Sequence, residues 1–420
     1  MSTIAQMCKQ YDRVTLLLQG GGALGSYQAG VYEGLHQAGI EINSIAGISI
    51  GALNTCIIAG NKPKNRVAAL RGFWDTITRR NYTSGSINPF DAMLDGLSAW
   101  GKNDALAHTM PYVFENQFLR QQLRLMESYF EAFQTMMEGQ KGFFKPRYFM
   151  PFNTTPNHLS YYTIDKLKDT LAEFADLRLI NDASRMRVSV GAVNVRTGNY
   201  AVFTNEHEEL RFEHFMASGA LPPGFPAVEI DGEYYWDGGL VSNTPLNEII
   251  LADESLNQLI FQVDLWNANG MLPENLLEID ERVKDIQYSS RTRMITTLMR
   301  QRQHYMSMVK QLLAMIPEKN SCASCVAEAE AMAEVGQKNV IHLIYRKQSY
   351  ERCHKDYEFS ANTMQDHWQS GLYDMNNTLR HEDWFARPSA GEIFTTHNIH
   401  EERNKFSQHW DWRQDGAGAY

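Results

Sequence analysis

"VTLLLQGGGALGSYQAG", residues 14–30, opens as an apolar strand and turns into a run of glycine and small residues. A backbone that bare suits either a nucleotide phosphate or the oxyanion of a reacting ester, and the two predict different residues downstream. Residues 14–18 are too few for a helix and stop short of glycine, so they read as a buried strand. Leu24, Tyr27, Val31, Leu35 and Ala38 then recur at three- and four-residue spacing, which predicts a helix with one apolar face, closed by Gly39. "SIAGIS" (44–49) reads as a second strand and "IGALNTCIIAG" (50–60) as a second helix. Strand, helix, strand, helix predicts an α/β fold with a parallel sheet and right-handed crossovers.

Gly20-x-Gly22-x-x-Gly25, between strand and helix, satisfies the dinucleotide fingerprint. That reading also needs an acid at the end of the second strand to hold the ribose. Glu41 lies on the wrong side of that strand, which instead runs into Gly47-Ile48-Ser49-Ile50-Gly51. This is a G-x-S-x-G elbow in the strand–turn–helix context the motif requires. Side chains at Gly47 or Gly51 would collide with neighbouring backbone. The turn lifts the Ser49 hydroxyl to a helix N-terminus, where the dipole and free amides favour negative charge. On this reading Gly20, Gly21 and Gly22 turn N–H groups toward the oxyanion formed when Ser49 attacks a carbonyl. Each such donor is worth about 3 kcal/mol in the transition state.

A serine nucleophile needs a proton acceptor. Several of the 13 histidines follow Ser49, among them His207, His214, His304, His342, His354, His367 and His381. None sits in a short strand-end loop with a glycine signature, and most lie in polar helical stretches, where a solvated surface histidine is expected. One acid stands out: Asp237 in "YYWDGGL" ends a strand and precedes Gly238 and Gly239. It is either the base, with the glycines giving it room beside Ser49, or a plain Asp-Gly β-turn.

The rest of the chain sets the frame. With 43% hydrophobic and 21% charged residues, a packed core is expected. The net charge of −10 argues against a nucleic-acid partner. No signal-peptide pattern or membrane-length apolar run is visible, and five sparse cysteines fit a reducing cytoplasm. Cys322 and Cys325 form a single CxxC; with only Cys353-His354 as company they read as free thiols, so no metal is expected. Residues 78–160, rich in Phe, Tyr and Met with helical spacing in the middle, read as an inserted lid. Their apolar side chains form either adaptable surface suited to acyl chains or the insert's own core. Strands are expected in "MRVSVGAVNV", "YAVFTN" and "NQLIFQVDLW". Beyond residue 265 the chain reads as mainly helical, with Leu276, Ile279, Val283 and Ile286 marking one helix and "NVIHLIYR" interrupting as a strand. Arg291, Arg293, Arg300 and Arg302 among apolar residues read either as a solvated face or as peripheral membrane contact.

GGGALG at 20–25, GISIG at 47–51, "ASGALPPGFPAVEIDG" at 217–232 and DGG at 237–239 together resemble the patatin-like phospholipases, in the family's own order. The resemblance covers roughly residues 13–265 and implies a three-layer sandwich, a mostly parallel sheet flanked by helices. It implies a Ser–Asp dyad, with Ser49 as nucleophile and Asp237 as base, an acyl-serine intermediate, a lipid or fatty-acyl ester substrate and no cofactor. Asn243 and Pro245 match the loop that follows the DGG. Leu24 departs from the pattern, since many members carry Lys or Arg there; neutral lipids or simple esters therefore stay open as substrates. Residues 266–420 resemble a mainly helical extension found on some bacterial patatin-like proteins. The expectation is a lipid acyl hydrolase of phospholipase A or lysophospholipase type. The competing readings are a short-chain or polymer ester hydrolase and a catalytically idle scaffold that binds lipid or protein. A homo-oligomer is compatible with all of them.

Overall fold

The structure, a computed structural model, describes residues 3–78, 117–148, 155–290, 292–315, 323–333, 335–389 and 392–399. At its centre is a nine-stranded sheet. Its strands are β1 (Arg13–Leu18), β2 (Ser44–Gly47), β3 (Arg187–Asn194), β4 (Tyr200–Thr204), β5 (Val228–Ile230), β6 (Glu233–Asp237), β7 (Gln258–Asp264), β8 (Lys338–Ile344) and β9 (Phe394–His397). They lie in the order β9-β8-β7-β1-β2-β3-β6-β5, with β4 also paired to β3. Neighbours from β9 across to β3 run parallel; β4, β5 and β6 add antiparallel pairings.

The helices that bear on the site are α1 (Ser26–Gln37), α2 (Ile50–Ala59), α3 (Arg66–Thr78), α4 (Gln117–Glu138), α5 (Phe212–Ser218), α6 (Leu246–Ala252), α7 (Leu276–Tyr288), α8 (Thr292–Ala314) and α9 (Ala361–Thr378). The three leucines of β1 show how the layers form. Leu16 and Leu18 enter the large cluster with Tyr27, Ile57 and Trp74, whereas Leu17 packs on the opposite face with Ile249, Ile250 and Val340. A strand buried on both faces reads as a continuous apolar run, as residues 14–18 do. Each of these leucines, fully buried, contributes roughly 2 kcal/mol by leaving water. The architecture is therefore the expected sheet between two helical layers.

One feature departs from a simple reading of the pattern. The stripe Leu276, Ile279, Val283 and Ile286 does mark α7, but these side chains are exposed. The buried positions of that helix are Glu281 and Asp285, which meet Lys347 at 2.5 Å and Lys355 at 2.6 Å. Ion pairs therefore dock this helix by its charged side. In α4 the spacing is helical as expected, and Met126, Phe133, Met136 and Met137 are exposed. The rest of the predicted lid, 79–116 and 149–154, lies outside the described residues, as do Cys322, Arg291, the side chains of Arg293 and Arg300, and residues 400–420. Arg302 is paired with Glu254. No helix among the described residues is long and apolar enough to cross a membrane.

Candidate active site

Ser49 stands between β2 and α2 with φ 56° and ψ −124°, a left-handed backbone that a serine adopts only under strain. The glycines of the elbow explain how the turn closes. A Cβ on Gly47 would lie 2.3 Å from the Gly51 carbonyl oxygen, and one on Gly51 would lie 2.3 Å from that of Leu18. The Ser49 amide donates to Ser218 Oγ, 3.0 Å away at the end of α5. The main chain at the turn is thus fixed, while the hydroxyl stays at the start of a helix.

Asp237 ends β6, which is joined to β2 through β3, so the two strand ends meet across one intervening strand. Its carboxyl is 2% exposed, accepts the Ser49 hydroxyl and accepts the Gly239 N–H at 2.7 Å. Burial pushes it up from 3.8 to about 7, against the opposing pull of those two hydrogen bonds. Gly238 presses on Gly191, whose carbonyl oxygen would lie 2.6 Å from an added Cβ. The Asp237 N–H donates to the Ala220 carbonyl at 3.0 Å, which ties the Pro/Gly-rich loop to the end of β6.

The glycine loop closes over this pair. A Cβ on Gly20 would meet Ser49 Cβ at 2.9 Å and Asn243 Oδ1 at 2.4 Å. The Gly20 amide points to the Asn243 carbonyl at 3.4 Å, and its carbonyl accepts Trp266 Nε1–H at 2.8 Å and Asn243 Nδ2–H at 3.1 Å. The amides of Gly21 and Gly22 have no acceptor among the described residues. Leu24 is fully buried in the large cluster.

The histidines behave differently from their sequence context. His214, His354 and His367 read as solvated, yet all three are buried. His214 accepts the Arg211 amide at 2.9 Å to cap α5, His354 bonds Ser128 Oγ at 2.6 Å, and His367 pairs with Glu351. None of the three bonds Ser49 or Asp237. Ser218 and Trp266 also escaped the sequence reading, because nothing in their local sequence marks contacts made with distant segments.

The sequence also matches known families. A family model described as patatin-like phospholipase matches residues 16–250, more than half of the chain. The chain belongs to the patatin-like phospholipases. A second family model, described as patatin phospholipase, matches residues 286–391 of this patatin-like chain. Among solved structures, VipD from Legionella pneumophila is similar at 14% identity over 86% of this chain and 67% of its own, with a TM-score of 0.31. No curated protein matches. Membership assigns this patatin-like protein to lipid acyl hydrolysis in general, with a lipid ester as substrate.

Proposed function

We propose that Ser49 and Asp237 form a two-residue catalytic unit that cleaves carboxylic esters of lipids, of phospholipase A or lysophospholipase type. The observation that carries this reading is the hydrogen bond from Ser49, strained at a helix N-terminus, to a buried carboxyl poised near neutral pH. A base works best with a pKa close to working pH. Asp237 takes the Ser49 proton as Oγ bonds to the ester carbon. The carbonyl oxygen, now an anion, is held by the free amides of Gly21 and Gly22. The ester C–O bond breaks, the leaving alcohol takes the proton from Asp237, and an acyl-serine remains. Water then attacks the acyl carbon, Asp237 accepting its proton; the acyl–Oγ bond breaks, Asp237 returns the proton to Ser49 Oγ, and the fatty acid departs. Gly20 contributes closeness: without a Cβ it lets the loop approach Ser49. Leu240 and Val241, 42% and 55% exposed just past the DGG, supply apolar surface beside the base and favour long acyl chains over short ones. Peripheral contact with a lipid surface belongs to the same reading, supported by the exposed apolar stripe of α7 more than by the arginines of α8.

The test is hydrolysis of nitrophenyl esters from acetyl to palmitoyl by wild type, Ser49→Ala and Asp237→Asn. Rates that climb with chain length and vanish in both variants support a lipid hydrolase. A rate that falls with chain length favours a short-chain esterase. Silence of the wild type on every ester, or an active Ser49→Ala, turns the reading toward a lipid- or protein-binding scaffold.

A further inference from the structure

The glycine loop is gripped from two sides, and the second grip comes from the end of the chain. The first is local to the site: Trp266 and Asn243 hold the Gly20 carbonyl. The second involves residues 345–367, within the stretch matched by the second family model. The Asp356 carbonyl accepts the Ala23 N–H at 2.8 Å. It also occupies the space beside Gly22, φ +55°, where a Cβ would lie 2.0 Å from that oxygen. On the other side of the same residue, His367 Nδ1 lies 3.3 Å from the Ala23 carbonyl, 344 positions away in sequence.

His367 is itself fixed. Its Nε2 is 2.5 Å from Glu351 Oε1, and the pair is buried. Glu351 Oε2 accepts the Tyr345 hydroxyl at 2.5 Å and the Gln348 N–H at 2.6 Å. Each imidazole nitrogen thus faces an acceptor, a carboxylate on one side and a carbonyl on the other. Both nitrogens must carry hydrogen to satisfy them, which makes the ring a cation donating in two directions. Burial works against that charge, but the Glu351 carboxylate outweighs it and raises His367 above the usual histidine range. Segment 353–356 is anchored in turn by Lys284 of α7, whose Nζ donates to the Asp356 carboxylate at 2.8 and 3.0 Å and to the Cys353 carbonyl at 3.0 Å.

We propose that His367 is a positioning residue for the glycine loop and that, with the Asp356 carbonyl, it aims the Gly21 and Gly22 amides at the reacting ester, so the C-terminal region completes the hydrolytic site. This rests on the loop being the oxyanion site, as proposed above. The effect is expected on the charged transition state and not on substrate binding, because His367 meets the loop at the Ala23 carbonyl and bonds neither Ser49 nor Asp237.

The experiment measures kcat, KM and inhibition by an alkyl trifluoromethyl ketone, whose adduct with Ser49 carries an oxyanion. The full-length variants are His367→Gln, His367→Gln with Glu351→Gln, and Lys284→Met. The double variant removes both members of the buried pair. Lys284 lies partly at the surface, so its replacement loosens the 353–356 anchor without touching the buried pair. The expected result is a kcat about tenfold lower in the histidine variants, with KM unchanged and the inhibition constant raised by the same factor. Lys284→Met should shift in the same direction by a smaller factor. A purely structural role would lower the melting temperature and leave the ratio of inhibition constant to KM at its wild-type value; that result overturns the proposal. If the histidine variants do not fold, Lys284→Met decides, and wild-type kcat and inhibition in it overturn the proposal. Ser49→Ala in the same assay separates the two failures. Activity there sinks the nucleophile reading, whereas an inactive Ser49→Ala beside fully active variants sinks only the positioning role.

Discussion

Replacing Asp237 by Asn is expected to stabilise the protein while abolishing hydrolysis. The carboxyl is 2% exposed, and burial lifts it from 3.8 to about 7. A carboxyl whose pKa rises on folding is penalised in its ionised form. The penalty is absent where folded and unfolded states are both protonated, and it grows as pH rises from the unfolded to the folded value. Taking about 1.4 kcal/mol for each pKa unit, it is about 0.5 kcal/mol at pH 4 and about 4 kcal/mol at pH 8.5. Asparagine is neutral throughout. Its Oδ1 keeps the Gly239 N–H, and its Nδ2 donates to Ser49 Oγ, so neither partner is stranded. Urea unfolding of wild type and variant, followed by tryptophan fluorescence at both pH values, reads the difference directly. The variant's advantage should open between pH 4 and 7 and stay level above. An advantage of equal size at pH 4 and pH 8.5, or none at pH 8.5, refutes the argument that burial raises this carboxyl.

With Asp237 as the proposed base, kcat/KM on a neutral ester should rise to half its maximum near pH 7, because a base works only when ionised, and a flat profile from pH 5 to 9 contradicts this. Gly20→Ala puts a methyl group against Ser49 and Asn243 and should lower kcat at least about 100-fold in a protein that still folds; near wild-type kcat would show that the loop does not close on the nucleophile. Leu24→Arg restores the residue many family members carry but places a charge in the core, so a loss of at least about 3 kcal/mol is expected by denaturant titration. Stability within about 1 kcal/mol of wild type would show that position 24 has a route to solvent.

What the sequence reveals divides by the range of the contacts. β1, β2 and the elbow are legible because their signals are local: an apolar run, a glycine, a serine at the required spacing. Asp237 stands out for the same reason, flanked by its own glycines. The buried histidines are not legible. His367 sits in a polar stretch, and its burial follows from α9 crossing α1 backbone to backbone, where Gly371 faces the Tyr27 carbonyl and Gly30 that of Trp368. Nothing near residue 367 announces that crossing. The outward stripe of α7 is the reverse case: its helical period is plain, but which face turns inward depends on Lys347 and Lys355, supplied by a segment some seventy residues away. The participation of β8 in the sheet is half visible, as an apolar run whose partner strand the sequence does not name.

The place of β7 in the sheet has a consequence for how the molecule is made. β7 lies between β1 and β8, and Leu259, Ile260, Phe261 and Val263 are buried within it. During synthesis β7 leaves the ribosome well before β8, separated from it by 338 − 264 = 74 positions. At about 5–20 residues per second, that interval lasts on the order of ten seconds. Throughout it, an apolar strand with one unpaired row of backbone donors and acceptors faces its surroundings, a template for another nascent chain on the same message. The C-terminal strands are thus the cover of a sheet edge, and a ribosome that stalls within this interval would release an aggregation-prone fragment.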